Sequence, residues 1–143
     1  MHFKVTKMNE KINYILAATG AAAGYFFGGL DTLLEVFAII LILDTTTGMV
    51  KYYSKGEYQS KLFRKGLLKK SGYMLAIILT VQLDRLMGNT GALRSAILFC
   101  LIANEGTSII ENLGELGVPF PEAIINAIHV LKNRSENQED TVN

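Results

Sequence analysis

Between Lys11 and Asp31 the chain runs without a single charge, through "INYILAATGAAAGYFFGGL" over residues 12–30. A helix of about 20 apolar residues spans the hydrocarbon of a bilayer, so the stretch predicts a first transmembrane segment. The competing reading is a secretory signal peptide, with Lys4, Lys7 and Lys11 as its basic region and Ala21 and Ala23 near a cleavage point. The apolar segments that follow weigh against it, because a cleaved remainder would still need a membrane.

The second such segment, "TLLEVFAIILILDTTTGMV" over 32–50, carries Glu35 near one end and Asp44 towards the other. A carboxylate in a membrane faces a bundle interior, a water-filled path or a cation. Lys51, seven residues on and on the same helix face, offers Asp44 a partner. Thr45, Thr46 and Thr47 can bond back to the preceding turn and Gly48 follows them, which predicts a local bend.

Residues 51–70 read as a soluble break in which Lys51, Lys55, Lys61, Arg64, Lys65, Lys69 and Lys70 oppose Glu57 alone. The positive-inside rule makes this basic loop cytoplasmic. A nucleic-acid patch is the alternative, but apolar segments flank the loop and the formal net charge of the chain is only +1, so no nucleic-acid partner is expected. Beyond it the uncharged runs are shorter, 71–83 and 95–104. They extend to candidate spans 68–87 and 94–113 if Lys69 and Lys70 snorkel inwards while Asp84, Arg85 and Arg94 mark the outer surface. "MGNTG" at 87–91 fits a tight helical hairpin between them.

Two prolines in 143 residues favour helices over an all-β fold, and a mean hydropathy of +0.27 is high for a soluble domain. The expected fold is all-α: a polytopic helical membrane domain over 1–132 with three to four transmembrane helices. Four crossings put the N-terminus, the basic loop and the C-terminus inside; three crossings with an interfacial helix is the alternative. After Pro119, residues 121–132 predict an amphipathic helix, with Pro121 at its first position and Ala123, Ile124, Ala127, Ile128 and Leu131 as its apolar face. That face suits the inner membrane surface or a partner helix. The tail, 133–143, is polar and expected to be disordered. Cys100 is the sole cysteine, so no disulfide forms within one chain.

Two patterns point to function. Gly20, Gly24 and Gly28 recur every fourth residue, and small residues at that spacing let membrane helices approach closely. They serve either self-association between chains or packing within one. The second pattern is an acidic stripe: on a helix Asn104, Glu105, Ser108, Glu111, Asn112 and Glu115 share an arc of roughly 120°, opposite Ile102, Ile109, Ile110, Leu113 and Leu116. Such a stripe suits the wall of a hydrated hole, with Asp44 as a further intramembrane polar group, and equally a helix lying on a surface. No catalytic arrangement is present. There is no phosphate loop or metal motif, His2 and His129 stand at opposite ends, and Glu105 with Glu111 makes no acid/base pair without a pocket. An enzyme, a cofactor and a metal are therefore not expected.

The residues carry a resemblance. "NE" at 104–105 and "SIIENLGELGVPFP" at 108–121, with Asp44, Thr47–Gly48 and "GLLKK" at 66–70, resemble the phage holin family that includes clostridial toxin-secretion proteins. The resemblance spans roughly residues 33–132. It implies a small protein that accumulates in the bacterial cytoplasmic membrane, crosses it several times, forms homo-oligomers among the lipids and opens lesions. A cytoplasmic endolysin then reaches the wall, or a large toxin leaves, without required contact with the protein. Some holins also use two starts, and Met1 and Met8 flanking Lys4 and Lys7 resemble that arrangement; an incidental methionine is the competing explanation. The alternative function is a small multihelical transporter coupled to cations or protons through Asp44 or Glu105.

Overall fold

The structure, a computed structural model, describes residues 2–56 and 60–140, with side chains over 10–56, 61 and 63–131. The possible start at Met8 and the basic residues Lys4 and Lys7 lie outside the described side chains, as does Glu57. The described residues form five helices and no strand: α1 (His2–Phe27), α2 (Thr32–Ser54), α3 (Ser60–Leu86), α4 (Ala92–Glu115) and α5 (Glu122–Asp140). Two of them, α2 and α4, are long and apolar enough to cross a membrane.

Local chemistry stops and starts each helix. Asp31 caps α2 by accepting the Leu34 N–H at 3.0 Å. Gly28 at φ 74° ends α1, where Gly29 N–H reaches back to the Gly24 carbonyl at 2.8 Å, closing a left-handed helix stop. Gly117 at φ 85° ends α4 in the same way, with Val118 N–H on the Leu113 carbonyl at 3.0 Å. The "MGNTG" stretch is the expected hairpin, joining α3 to α4.

The basic stretch 51–70 is not a loop. Lysine and arginine are good helix formers, so α2 continues through Lys51 to Ser54 and α3 already begins at Ser60. Among the described residues between them, Gly56 stands at φ 67°. At the far end α5 runs to Asp140, well past residue 132 where the amphipathic segment was expected to stop.

Helix α4 is the centre of the bundle, packed against α2, α3 and α5, while α1 leans on α3. Phe37, Ile77, Val81, Leu98, Leu101 and Ile102 form the buried apolar cluster. Large apolar side chains elsewhere are exposed, among them Leu16, Ile42, Leu75 and Leu79. α5 folds back along α4 with Ile125, Ile128 and Leu131 half-buried, so its packed face is rotated from the Ala123–Ile124–Ala127 edge expected from sequence. Gly106 makes room for it: a Cβ there would stand 2.6 Å from Ile128 Cδ1.

One end of the bundle is tied by charge. Gly91 offers α4 no capping side chain, and Asp84 at the end of α3 takes over, accepting Leu93 N–H at 3.1 Å and Arg94 N–H at 2.7 Å. Arg94 in turn grips Asp31 with both terminal nitrogens, at 2.8 and 2.9 Å, and donates to the Phe27 carbonyl at 2.6 Å. These hydrogen bonds from Arg94 hold the Asp31 carboxyl down at about 2. Asp84 and Arg94 are both buried between the helices, because each satisfies backbone groups that the helix ends leave open.

Candidate functional site

The other half of the bundle holds a polar seam where α2, α3 and α4 meet. Asp44 lies twelve residues beyond Thr32, about 18 Å along α2 at 1.5 Å per residue. Glu105 lies thirteen beyond Ala92, about 20 Å along α4 by the same rise. Lys70 of α3 stands between them, 3.0 Å from Asp44 Oδ2 and 2.6 Å from Glu105 Oε2. Glu105 is only 1% exposed, yet it is fully partnered, since Tyr73 Oη donates at 2.7 Å and Lys69 Nζ at 3.2 Å. A buried charge persists only when paired and hydrogen-bonded in this way.

The seam continues towards the ends of α2 and α4. Asn112 is buried, its amide nitrogen 3.4 Å from Thr47 Oγ1 and its oxygen accepting from Lys51 Nζ at 3.2 Å. Lys51 also reaches Glu115 at 2.8 Å, and Lys55 pairs with the same carboxylate. Lys51 therefore does not neutralise Asp44, as its spacing suggested. Seven residues along one helix is about 10 Å of rise, whereas α3 brings Lys70 directly alongside.

The acidic stripe of α4 is thus divided. Its Glu105–Asn112 edge is buried in the bundle, Ser108 is half-buried, and its Asn104–Glu111 edge is exposed, with Asn104 donating to Tyr73 Oη at 3.0 Å. Of the basic residues, Lys61, Arg64 and Lys65 are exposed on α3. Lys70 turns into the seam, whereas Lys69 touches Glu105 with more than half of its side chain still exposed. Thr45 and Thr46 bond back to the Leu41 and Ile42 carbonyls at 2.8 and 2.7 Å.

The glycine pattern also splits. A Cβ at Gly20 or Gly24 would meet nothing within 4 Å, so that face of α1 is open in a single chain. Gly28 does not continue it. It lies past the end of the helix, where a Cβ would come 2.9 Å from Arg94 Cδ, so its role is the turn.

Sequence reasoning missed Tyr73, although it stands four residues after Lys69 and three after Lys70, on the face those lysines share. A cleft of about 230 Å³ opens beside the seam, bordered by Met49, Tyr52, Phe63 and Leu67 and floored by Lys69, Lys70, Glu105 and Ser108.

The family model described as "Bacteriophage holin family" matches residues 21–133. A probable holin of Bacillus phage phi105 is 33% identical over 120 residues, covering 84% of this chain and 87% of that protein. An uncharacterised 14.9 kDa protein from the nagH 3′ region of Clostridium perfringens is 35% identical over 131 residues, 89% of this chain and 99% of its own. An uncharacterised protein of Listeria innocua is 32% identical over 121 residues, 85% of this chain and 86% of its own. No solved structure matches. On the extent of these matches, the chain belongs to the bacteriophage holin family.

Proposed function

We propose that the chain is a multi-pass holin of the bacterial cytoplasmic membrane, which gathers as homo-oligomers and permeabilises it. A cytoplasmic endolysin, or a large exported toxin, then passes without binding the protein and without catalysis by it. In this reading α1–α4 cross the bilayer four times, with the Lys-rich ends of α2 and α3 in the cytoplasm.

The observation that carries the mechanism is the Asp44–Lys70–Glu105 seam. Lipid is as apolar as leucine, so helices in a bilayer gain little from apolar contact alone. Matched charges between α2, α3 and α4 hold a single chain shut, with its apolar faces to lipid. The exposed Asn104–Glu111 edge already gives α4 one polar margin. Rotation of α4 among crowded copies brings Glu105, Ser108 and Asn112 to water, where hydration replaces Lys70 as the partner of Glu105. A ring of such helices lines a hydrated lesion.

The test is induced expression in a bacterium, with and without a co-expressed endolysin lacking a signal sequence, while turbidity and membrane potential are followed. Abrupt depolarisation, with lysis only when the endolysin is present, is the expected result. Selective and reversible ion movement in an intact membrane would instead favour a transporter and refute the holin reading.

A further inference from the structure

Helix α5 lies on α4 in a register fixed by two contacts. A Cβ at Gly106 would stand 2.6 Å from Ile128 Cδ1, and Leu131, almost one turn further along α5, packs against the cluster that holds Leu98, Leu101 and Ile102. As α5 advances it therefore moves towards the start of α4. Asp140 is twelve residues beyond Ile128, about 18 Å at 1.5 Å per residue, and Ala92 is fourteen residues back from Gly106, about 21 Å. The helix consequently runs beside most of the first half of α4.

Its composition changes on the way. Glu122–Leu131 is the apolar part, whereas 132–140 reads "KNRSENQED", nine polar residues of which five are charged. With α4 across the bilayer, that stretch runs at hydrocarbon depth, where charges are strongly disfavoured and no water satisfies polar groups. A single chain therefore has α4 in lipid or α5 on α4, not both. The face beneath α5 permits the exchange. Ile102, Ala103 and Gly106 share an arc of roughly 100° on α4 and are buried, and lipid covers such apolar residues without stranding a polar group. Ile125, Ile128 and Leu131 in turn suit an amphipathic helix at the inner membrane surface, with 132–140 in water.

We propose that α5 has two alternative seats, the Gly106 face of α4 and the inner membrane surface, and that α4 spans the bilayer only after α5 has left it. Docked α5 is then a strap that keeps a chain out of the membrane. The inference rests on the reading given above, in which α4 crosses the bilayer.

The test makes the full chain by cell-free synthesis as Gly106→Cys with Ile128→Cys in a Cys100→Ser background, and then offers it liposomes. Ile128→Cys removes the Cδ1 that a side chain at 106 would meet. A Cβ at 106 would lie 3.7 Å from Ile128 Cγ1, the atom next to its Cβ, which is within reach of a disulfide. The bridge forms without lipid. Oxidised chains stay extractable by alkaline carbonate, and reduction raises the resistant fraction about tenfold. Separately, Asp140→Cys in the same Cys100→Ser background, expressed in bacteria, reacts with a sulfonated maleimide in inside-out vesicles and not in whole cells. No bridge without lipid, or equal insertion of oxidised and reduced chains, overturns the inference. So does labelling of Asp140→Cys from outside the cell, which would place α5 beside α4 in a hydrated wall. None of these readouts requires a lesion. Chains that insert once α5 is free but never depolarise cells refute the holin reading alone, whereas chains that insert in neither state refute the spanning of α4 and this inference with it.

Discussion

Replacing Lys70 with methionine removes the one cation that Asp44 and Glu105 share while keeping an unbranched side chain one atom shorter. Its two bonds, 3.0 and 2.6 Å, go to carboxylates that are 15% and 1% exposed. Taking one partner from a buried ion pair costs about 3–5 kcal/mol, because the charge left behind is uncompensated. Here Glu105 retains Lys69 and Tyr73, whereas Asp44 is left without a cation and with the Asn112 amide at 3.5 Å, so the lower end, about 3 kcal/mol, applies. Proteins are stable by about 5–15 kcal/mol in all, so the loss is a large share. Far-UV circular dichroism in mixed micelles, titrated with a denaturing detergent, measures it. Adding Asp44→Asn to Lys70→Met should restore much of the loss, since the stranded charge is gone. In cells Lys70→Met should advance the onset of depolarisation at equal expression, because the seam holding the bundle shut is weaker. A Lys70→Met variant within about 0.5 kcal/mol of the parent, as for an ordinary surface substitution, would refute the reasoning, as would an Asp44→Asn addition that restores nothing.

At the opposite end, Asp84→Ala removes the cap of α4 and should cost about 1–2 kcal/mol in the same titration; a change below about 0.3 kcal/mol would show that the Leu93 and Arg94 N–H groups find other acceptors. Asp31 has its carboxyl lowered from 3.8 to about 2 by hydrogen bonds from Arg94. A carboxylate depressed on folding contributes stability that is present above its unfolded value and lost as pH falls through the folded one. The stability difference between the parent and Asp31→Asn should therefore hold steady above pH 3.8 and close towards pH 2, by a small amount because the group is half exposed; a difference independent of pH would contradict the pairing. Gly20→Ile with Gly24→Ile should leave the unfolding of a single chain unchanged, since nothing lies within 4 Å of either position, yet reduce cross-linked oligomers in membranes. Unaltered cross-linking would remove α1 as the association surface.

Much of the helical framework was legible in the sequence, since its signals are local. The charge-free run before Asp31 and the glycine-rich hairpin at 87–91 each act through neighbours within a few residues. The arc of Asn104 to Glu115 likewise needed only helical periodicity. What sequence could not show was which element would meet which. Lys51 looked like the partner of Asp44 because both lie on one helix, but the antiparallel α3 carries Lys70 to the same depth, a pairing between residues 26 apart in sequence. The basic stretch 51–70 looked like a loop because its charge masked a strong helical tendency. Asp84 and Arg94 were read for topology alone, and nothing in their spacing showed that α4, with Gly91 at its start, would take its cap from Asp84. Gly28 shared the spacing of Gly20 and Gly24, but its positive φ sets it apart, and backbone conformation is not written in spacing.

The central claim is that the inner edge of the α4 stripe is sheltered in a single chain and meets water when the membrane opens. Ser108→Cys in a Cys100→Ser background places a small thiol on that edge, half-buried beside Glu105 and Asn112. A sulfonated maleimide applied to inside-out vesicles before triggering, and to cells after depolarisation, reads its exposure directly, with Ala103→Cys on the opposite, buried face of α4 as the reference. The account predicts slow labelling of Ser108→Cys before triggering, fast labelling afterwards, and little labelling of Ala103→Cys throughout. Equal labelling of Ser108→Cys in both states would contradict it.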